Sequence, residues 1–209
     1  MSQPWTVVVP VKRLTAAKTR LRGGLPGVPH EELALALAAD TLAAVGACSP
    51  LVRIRVVTDD PRVSALARLA GAQVLPDAPD AGLNAAFRHG ATGAAGWVAG
   101  LTADLPALRP AELAAALAEA RKTPAGVRSF VSDAPGSGTV LLAAPPGVPL
   151  DPRFGPDSAT AHTASGARAL AGDWPSLRRD VDTAEDLLAA ARLGLGPRTA
   201  ALAAGCLTR

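Results

Sequence analysis

Tyrosine is absent from this chain of 209 residues, and phenylalanine, tryptophan, cysteine and methionine are scarce, at three, three, two and one. With aromatics at 3% there is no platform on which exposed bases could stack, and the Lys and Arg residues behind a net charge of +3 are scattered. Nucleic acid is therefore not an expected partner. Cys48 and Cys206 make no framework of pairs and stand at no zinc-ligand spacing, so both read as inert thiols. His30, His89 and His162 have no Cys or carboxylate at metal-ligand spacing and read as surface or packing residues. Apolar runs are cut by charge, Gly or Pro before they could span a bilayer, and MSQPWTVVVPVKR lacks the order of a signal peptide. The expectation is a soluble, cytoplasmic protein with no membrane partner, folded as one domain over residues 1–209. The abundant Ala, Gly, Pro and Arg suggest GC-rich codons, which bears on the source and not on the chemistry.

The valine-rich run at residues 5–11 and a similar one at 52–58 read as buried parallel strands, joined by an Ala/Leu-rich crossover helix at 31–45. Alternation continues with a helix at 62–70, a strand at 72–75, a helix at 83–91, a strand at 97–101 and a helix at 111–121. Strands at 128–131 and 139–144 follow. This pattern predicts an α/β three-layer fold, a mostly parallel sheet with helices on both faces, and ligands at the carboxyl ends of the strands. The carboxyl third is less regular, with a Pro-rich turn at 145–149, a loop at 151–158 and a helix over 183–193. Thr183 should cap that helix, with Asp186 in its first turn. A small insertion packed on the sheet is expected in this third.

Four constellations carry chemistry. VPVKRLTAAKTRL places Lys12, Arg13, Lys18 and Arg20 where the first strand ends, with Arg22 just beyond. Such a loop suits nucleotide phosphates, although a basic loop can also be merely solvated, and it lacks the glycine spacing of a P-loop. LTADLPAL delivers Asp104 at a strand end, where a carboxylate can hold Mg²⁺ or simply make a strand-to-helix turn. RRDVDTAEDL supplies Asp180 and Asp182, which face the same way if the segment is extended and could share a metal with Asp104, unless they serve to cap the helix. The segments at 138–142 and 154–158 combine Gly with Thr, Asp and Ser, a small anion pocket or ordinary turns. Asn84 offers an amide to a base edge or ribose.

In this order VPVKRLTAAKTRL, VVTDDP, GLNAAF, LTADLPAL, SGTVLLAA, FGPDSATAHTASGA and RRDVDTAEDL resemble the CofC/FbiD family over nearly the whole chain. The resemblance implies a Rossmann-like nucleotidyltransferase fold related to glycosyltransferase-A sheets. The activity it implies is guanylyl transfer, in coenzyme F-420 biosynthesis, from GTP to a phosphorylated three-carbon acid with release of pyrophosphate. Phosphoenolpyruvate is the acid implied for bacterial members, 2-phospho-L-lactate for archaeal ones. By motif, Thr139, Gly155 and Ser158 match acceptor-contacting positions, and Asp104, Asp180 and Asp182 match metal carboxylates for Mg²⁺. Lys12, Lys18, Arg20 and Asn84 fall to the nucleotide, and Asp104 and Lys18 to catalysis. The downstream deazaflavin transferase is the implied protein partner.

The chain departs from the pattern at VPHEELALAL, where an arginine is expected just before the helix; if that arginine touches phosphate in relatives, Arg20 or Arg22 must substitute for it here. The stretch at 122–128 is long and should be a surface loop. A related enzyme, the guanylyltransferase of the molybdenum dinucleotide cofactor, places a Gly-Gly pair ahead of its basic residues, whereas Gly23 and Gly24 follow them here. Acceptors such as 2-phospho-L-lactate or 3-phosphoglycerate are alternatives. A catalytically silent nucleotide-binding protein is another, against which Asp104, Asp180 and Asp182 argue.

Overall fold

The computed structural model describes residues 3–15, 21, 25–48 and 52–204. Its first strand, β1 (Trp5–Pro10), has all six residues buried. Three βα units follow: α1 (His30–Cys48), β2 (Val52–Val57), α2 (Pro61–Leu69), β3 (Gln73–Leu75), α3 (Leu83–Ala91) and β4 (Trp97–Leu101). Next come α4 (Pro110–Ala120), β5 (Ser129–Ser132), β6 (Thr139–Ala144), α5 (Ser158–Ala164) and β7 (Arg168–Ala169), and the chain closes with α6 (Pro175–Arg178), α7 (Ala184–Leu193) and α8 (Pro197–Ala203).

The strands form one sheet in the order β3-β2-β1-β4-β6-β5-β7. β1 pairs in parallel with β2 on one side and β4 on the other, and β6 runs against both β4 and β5. The sheet is therefore mostly parallel and mixed, as the alternation predicts. Successive valines of β1 point to opposite faces: Val7 and Val9 join the layer that holds Leu42, Val63 and Leu113 of α1, α2 and α4, while Val8 joins Phe87 and Ala159 of α3 and α5. β-Branched residues suit a strand buried on both faces, because the pleat offers each side chain a packed slot. The chain leaves β1 toward β2 and returns on its other side as β4. The crevice between the carboxyl ends of β1 and β4 is thus the switch point at which such sheets bind ligands.

Helix ends follow local chemistry. Asp60 caps α2, its carboxylate accepting from the N–H groups of Arg62 and Val63, with Pro61 opening the helix. Thr183 and Asp186 form the reciprocal capping box of α7. α1 has almost no polar face because it is covered twice: Ala34, Ala38 and Leu42 pack on the sheet, and Leu33 and Leu37 join Val181, Leu187 and Ala203 of the carboxyl-terminal region. Asp40, buried in α1, accepts from the N–H groups of Arg198 and Thr199 at 3.1 and 2.8 Å and so starts α8.

Two expectations change. The carboxyl third contains α5, α6, β7 and α8 in addition to the predicted helix. Its last helices also sit on α1 and not on the sheet, because α1 presents the apolar stripe that they need. α3 lies close to β1 and β2 at Gly90, where an added Cβ would collide with Val8 Cγ1 and come within 2.9 Å of Val57 Cγ2. Gly90→Ala is expected to lower stability by about 1–3 kcal/mol through overpacking. Urea denaturation measures it, and an unchanged midpoint would mean that α3 can lift off the sheet freely.

Candidate active site at the carboxyl ends of β1, β4 and β6

The basic loop leaves β1 under two restraints. Val11 N–H donates to the Val57 carbonyl at 2.9 Å, and Leu14 N–H donates to Asp60 Oδ2 at 3.0 Å. Leu14 is buried in the core, so Lys12 and Arg13 stand exposed between two fixed points over the ends of β1 and β2. Lys18, Arg20 and Arg22 lie outside the described residues. Facing the loop are the carboxylates that follow β2 and β3. Asp59 accepts from Asp77 N–H at 3.1 Å. Burial raises the Asp77 pKa, the charges of Asp80 and Asp59 add to this, and Lys12 and His89 oppose it.

Asp104 follows β4, half-buried. Its peptide is held from two sides. The Thr41 hydroxyl of α1 accepts from Leu105 N–H at 3.0 Å, and the Asp104 carbonyl accepts from Val181 N–H at 3.0 Å. The second bond brings the RRDVD segment to the end of β4. Val181 is fully buried, while Asp180 and Asp182, one residue to either side, are half-buried. Neighbouring groups hold the segment there. Glu112 accepts from Ser176 N–H at 2.8 Å, and Arg178 donates to the Ser132 carbonyl and hydroxyl at 2.9 and 2.7 Å. Thr183, and not Asp182, caps α7.

Beside β4 runs β6, whose first residue is Thr139. Thr102 N–H donates to the Val140 carbonyl at 3.0 Å, so the Asp104 loop and Thr139 rise from adjacent strands. The FGPDS turn packs beside the start of β6. Ser158 N–H donates to the Gly155 carbonyl at 3.2 Å, and Ala159 N–H to the Ser137 carbonyl at 3.0 Å. Gly155 is exposed with φ at +139°, a conformation that disfavours any side chain, and nothing would meet a Cβ there. Thr139 and Ser158 are nearly enclosed.

Asn84 is engaged by this turn. Its Nδ2 donates to the Phe154 carbonyl at 2.9 Å, and its Oδ1 accepts from Phe154 N–H at 2.8 Å. The amide expected to meet a base or ribose clamps the loop, and it keeps one N–H and one lone pair for a ligand. His162 differs from a surface residue. It is completely buried and hydrogen-bonded at both ring nitrogens, to Thr139 Oγ1 and Arg153 N–H. The supporting roles of Asp60, Thr41, Glu112 and Arg178 were missed from sequence, and of the two readings of His162, surface or packing, the packing one holds while its hydrogen bonds were not foreseen. Only Asp60, just ahead of Pro61, carried a local sign of its capping role.

Among the described residues no three His, Cys, Asp or Glu side chains gather as a metal cage. A full cage is not required of a small hard cation: Mg²⁺ takes one or two carboxylates plus substrate phosphates, and the Val181–Asp104 backbone bond brings the segment that carries Asp180 and Asp182 to the strand end that carries Asp104. Cys48 is no competitor, since burial pushes its thiol pKa up to about 11.

The MobA-like NTP transferase domain matches residues 30–169. A phosphoenolpyruvate guanylyltransferase of Salinispora arenicola is 70% identical over 203 residues, covering 97% of this chain and 94% of the relative. One from Geodermatophilus obscurus is 54% identical, over 96% of this chain and 94% of the relative. The chain belongs to the CofC/FbiD family. That family sits within the MobA-like nucleotidyltransferases, and the chain is an enzyme of that kind. Solved structures agree on the fold. A nucleotidyl transferase from Methanothermobacter matches with TM-score 0.60 at 19% identity, over 90% of this chain and 96% of that one. CMP:2-keto-3-deoxy-manno-octonic acid synthetase complexed with CTP matches with TM-score 0.56 at 16% identity, over 91% and 98%. Dependence on a divalent metal goes with the nucleotidyltransferase family.

Asp60 ties the basic loop to α2, and its ionisation is coupled to folding. Burial acts to raise its pKa, but the N–H groups of Leu14, Val63 and Arg62 and the charge of Arg62 outweigh burial, so the pKa is lowered. Its contribution is complete above the ordinary carboxylate pKa of about 3.9 and is lost as pH falls through the lowered folded value. Asp60→Ala is expected to lower stability by about 1–2 kcal/mol at neutral pH. The gap to the parent should close in acid, and urea denaturation across that range reads it. A gap independent of pH would show that the carboxylate charge is not involved.

Proposed function

We propose that this enzyme transfers GMP from GTP to phosphoenolpyruvate, giving enolpyruvoyl-2-diphospho-5'-guanosine and pyrophosphate in coenzyme F-420 biosynthesis. The observation that carries the reading is the order along one sheet edge: the basic loop after β1, Asp104 after β4, and Thr139 at the start of β6. A donor triphosphate over β1 and an acceptor acid over β6 would meet at the carboxylates between them. Relatives so similar over their whole length that are named for this activity support the same assignment.

Lys12, Lys18 and Arg20 would hold the donor phosphates, and Thr139, Gly155 and Ser158 the carboxylate end of the acceptor. An oxygen of the acceptor phosphate attacks the α-phosphorus of GTP. The new bond joins the two phosphates, the bond to the β-phosphate breaks, and pyrophosphate leaves with its electron pair. The attacking oxygen is already ionised at neutral pH, so no general base is needed, and the work of the protein is positioning and charge compensation. Asp104, with Asp180 or Asp182 as its partner from the RRDVD segment, would hold Mg²⁺, which would supply positive charge against the phosphate oxygens. No helix of the described residues is long and apolar enough to cross a membrane. We place the enzyme in the cytoplasm, where GTP and phosphoenolpyruvate are available, with the downstream deazaflavin transferase as the protein that would receive its product.

Asp104→Asn keeps the size of the side chain and discards its charge. Turnover is expected to fall on the order of 100-fold or more with the fold intact. Near-normal turnover with unchanged magnesium dependence would remove Asp104 from the metal site.

The acceptor is decided by competition of phosphoenolpyruvate, 2-phospho-L-lactate and 3-phosphoglycerate at equal concentration with GTP, read by product mass. Short hydroxyls and accessible backbone can hold any of the three carboxylates, so discrimination between a planar and a tetrahedral carbon rests on shape, worth about 1–3 kcal/mol. The enolpyruvoyl product should dominate roughly tenfold or more. A dominant lactyl or glyceryl product would change the acceptor and leave guanylyl transfer standing, whereas no pyrophosphate release with any acid would favour a silent nucleotide-binding protein.

A further inference from the structure

His162 is fully buried, one turn along α5 from Ser158 and on the same face. Phe154 meets its ring edge-on at 5.3 Å, and Phe130 lies 5.7 Å away. Phe154 is itself stacked on Phe87 at 4.2 Å and clamped at its peptide by Asn84. The ring therefore cannot turn without unpacking the FGPDS loop.

Its two hydrogen bonds assign the ring proton. Arg153 N–H lies 2.9 Å from Nε2, and a backbone N–H can only donate, so Nε2 accepts and carries no proton. Burial first, then the charges of Arg128 and Arg153, push the imidazole pKa down to about 4 against the opposing effects of Asp151 and the Ser158 carbonyl, so the ring is neutral at ordinary pH. A neutral ring with a bare Nε2 holds its proton on Nδ1, which lies 2.9 Å from Thr139 Oγ1. Thr139 must then accept from the ring. Its own O–H proton cannot be given to His162 and is left to donate elsewhere. The opposite tautomer would draw that proton into the ring and turn only lone pairs toward an incoming anion.

We propose that His162 is a positioning residue that makes the Thr139 hydroxyl an obligatory donor to the carboxylate of the acceptor acid. It does this while its other nitrogen anchors the FGPDS loop through Arg153. The proposal rests on the reading of Thr139 as an acceptor contact.

The test is a double-mutant cycle on the full-length enzyme with GTP and phosphoenolpyruvate, with KM followed for each substrate separately. His162→Leu is expected to raise KM for phosphoenolpyruvate about ten- to hundred-fold with KM for GTP within about twofold. Thr139→Val should do the same. In the Thr139→Val background His162→Leu should add little, because both changes remove one interaction. His162→Asn keeps an N–H near the position of Nδ1 and should recover most of what His162→Leu loses, short of the part that the Arg153 anchor supplies, while His162→Gln moves the N–H toward Nε2 and should resemble His162→Leu. That Asn-against-Gln contrast decides the matter by itself if the leucine variant does not fold. Additive effects, equal rises in both KM values, or Asn and Gln variants alike would overturn the positioning role and leave the acceptor pocket in place. Thr139→Val with unchanged KM for phosphoenolpyruvate would overturn the pocket assignment, and the role of His162 with it.

Discussion

Burial of β1 on both faces, between parallel partners on both edges, is the constraint on which the rest of this structure depends. A strand in that position has no exposed edge or face, so its chemistry can appear only where it ends. The chain leaves toward β2 and comes back as β4, and the gap between those two ends is where backbone groups and side chains are free to meet a ligand. The basic loop and Asp104 are at the two lips of that gap. β6, added antiparallel beside β4, begins at the same edge and contributes Thr139.

Side chains at this edge are held by a set of backbone contacts in which carboxylates and hydroxyls far apart in sequence take part. Asp60 fastens Leu14, Thr41 fastens Leu105, Val181 fastens Asp104, and Asn84 fastens Phe154. Each bond is worth little on its own, on the order of 1 kcal/mol net, but each would leave a buried group unsatisfied if broken. The site is thus preorganised by ordinary hydrogen bonds placed one residue away from the groups that would touch substrate. Catalysis by positioning, the demand of phosphoryl transfer, is met by that kind of support.

The carboxyl-terminal region has a direct part in this support. α1 is apolar nearly all round because α7 and α8 cover the side that the sheet does not. The same packing buries Val181 and draws the RRDVD segment to Asp104. A helix that would otherwise serve only as a crossover between strands therefore links the core to Asp104 and the segment that carries Asp180 and Asp182.

Much of this was legible from residue order. Valine runs ending at charge or proline marked β1 and β2, and the helix at Leu83–Ala91 and the strands at Trp97–Leu101 and Thr139–Ala144 follow from local pattern and turn residues, because their propensities and their burial agree. The Thr183 cap was equally local. The motifs that carry Asp104, Thr139 and the RRDVD segment were also placed at element ends by residue order, and the fold brings those ends to one edge of the sheet. What residue order could not decide was anything that depends on partners distant in the chain. Asn84 reads as a nucleotide contact, and its second role, holding the Phe154 peptide seventy residues on with both ends of its amide, has no local sign. His162 reads as a packing residue until Arg153 and Thr139 fix its tautomer. The short α5 and α6 and the docking of α8 have weak local signals, and tertiary burial stabilises them. Local propensity and periodicity determined the elements and the edge at which chemistry would occur. Only the folded chain decided which side chains there hold the others in place, since a hydrogen bond between distant residues leaves no trace in the sequence around either one.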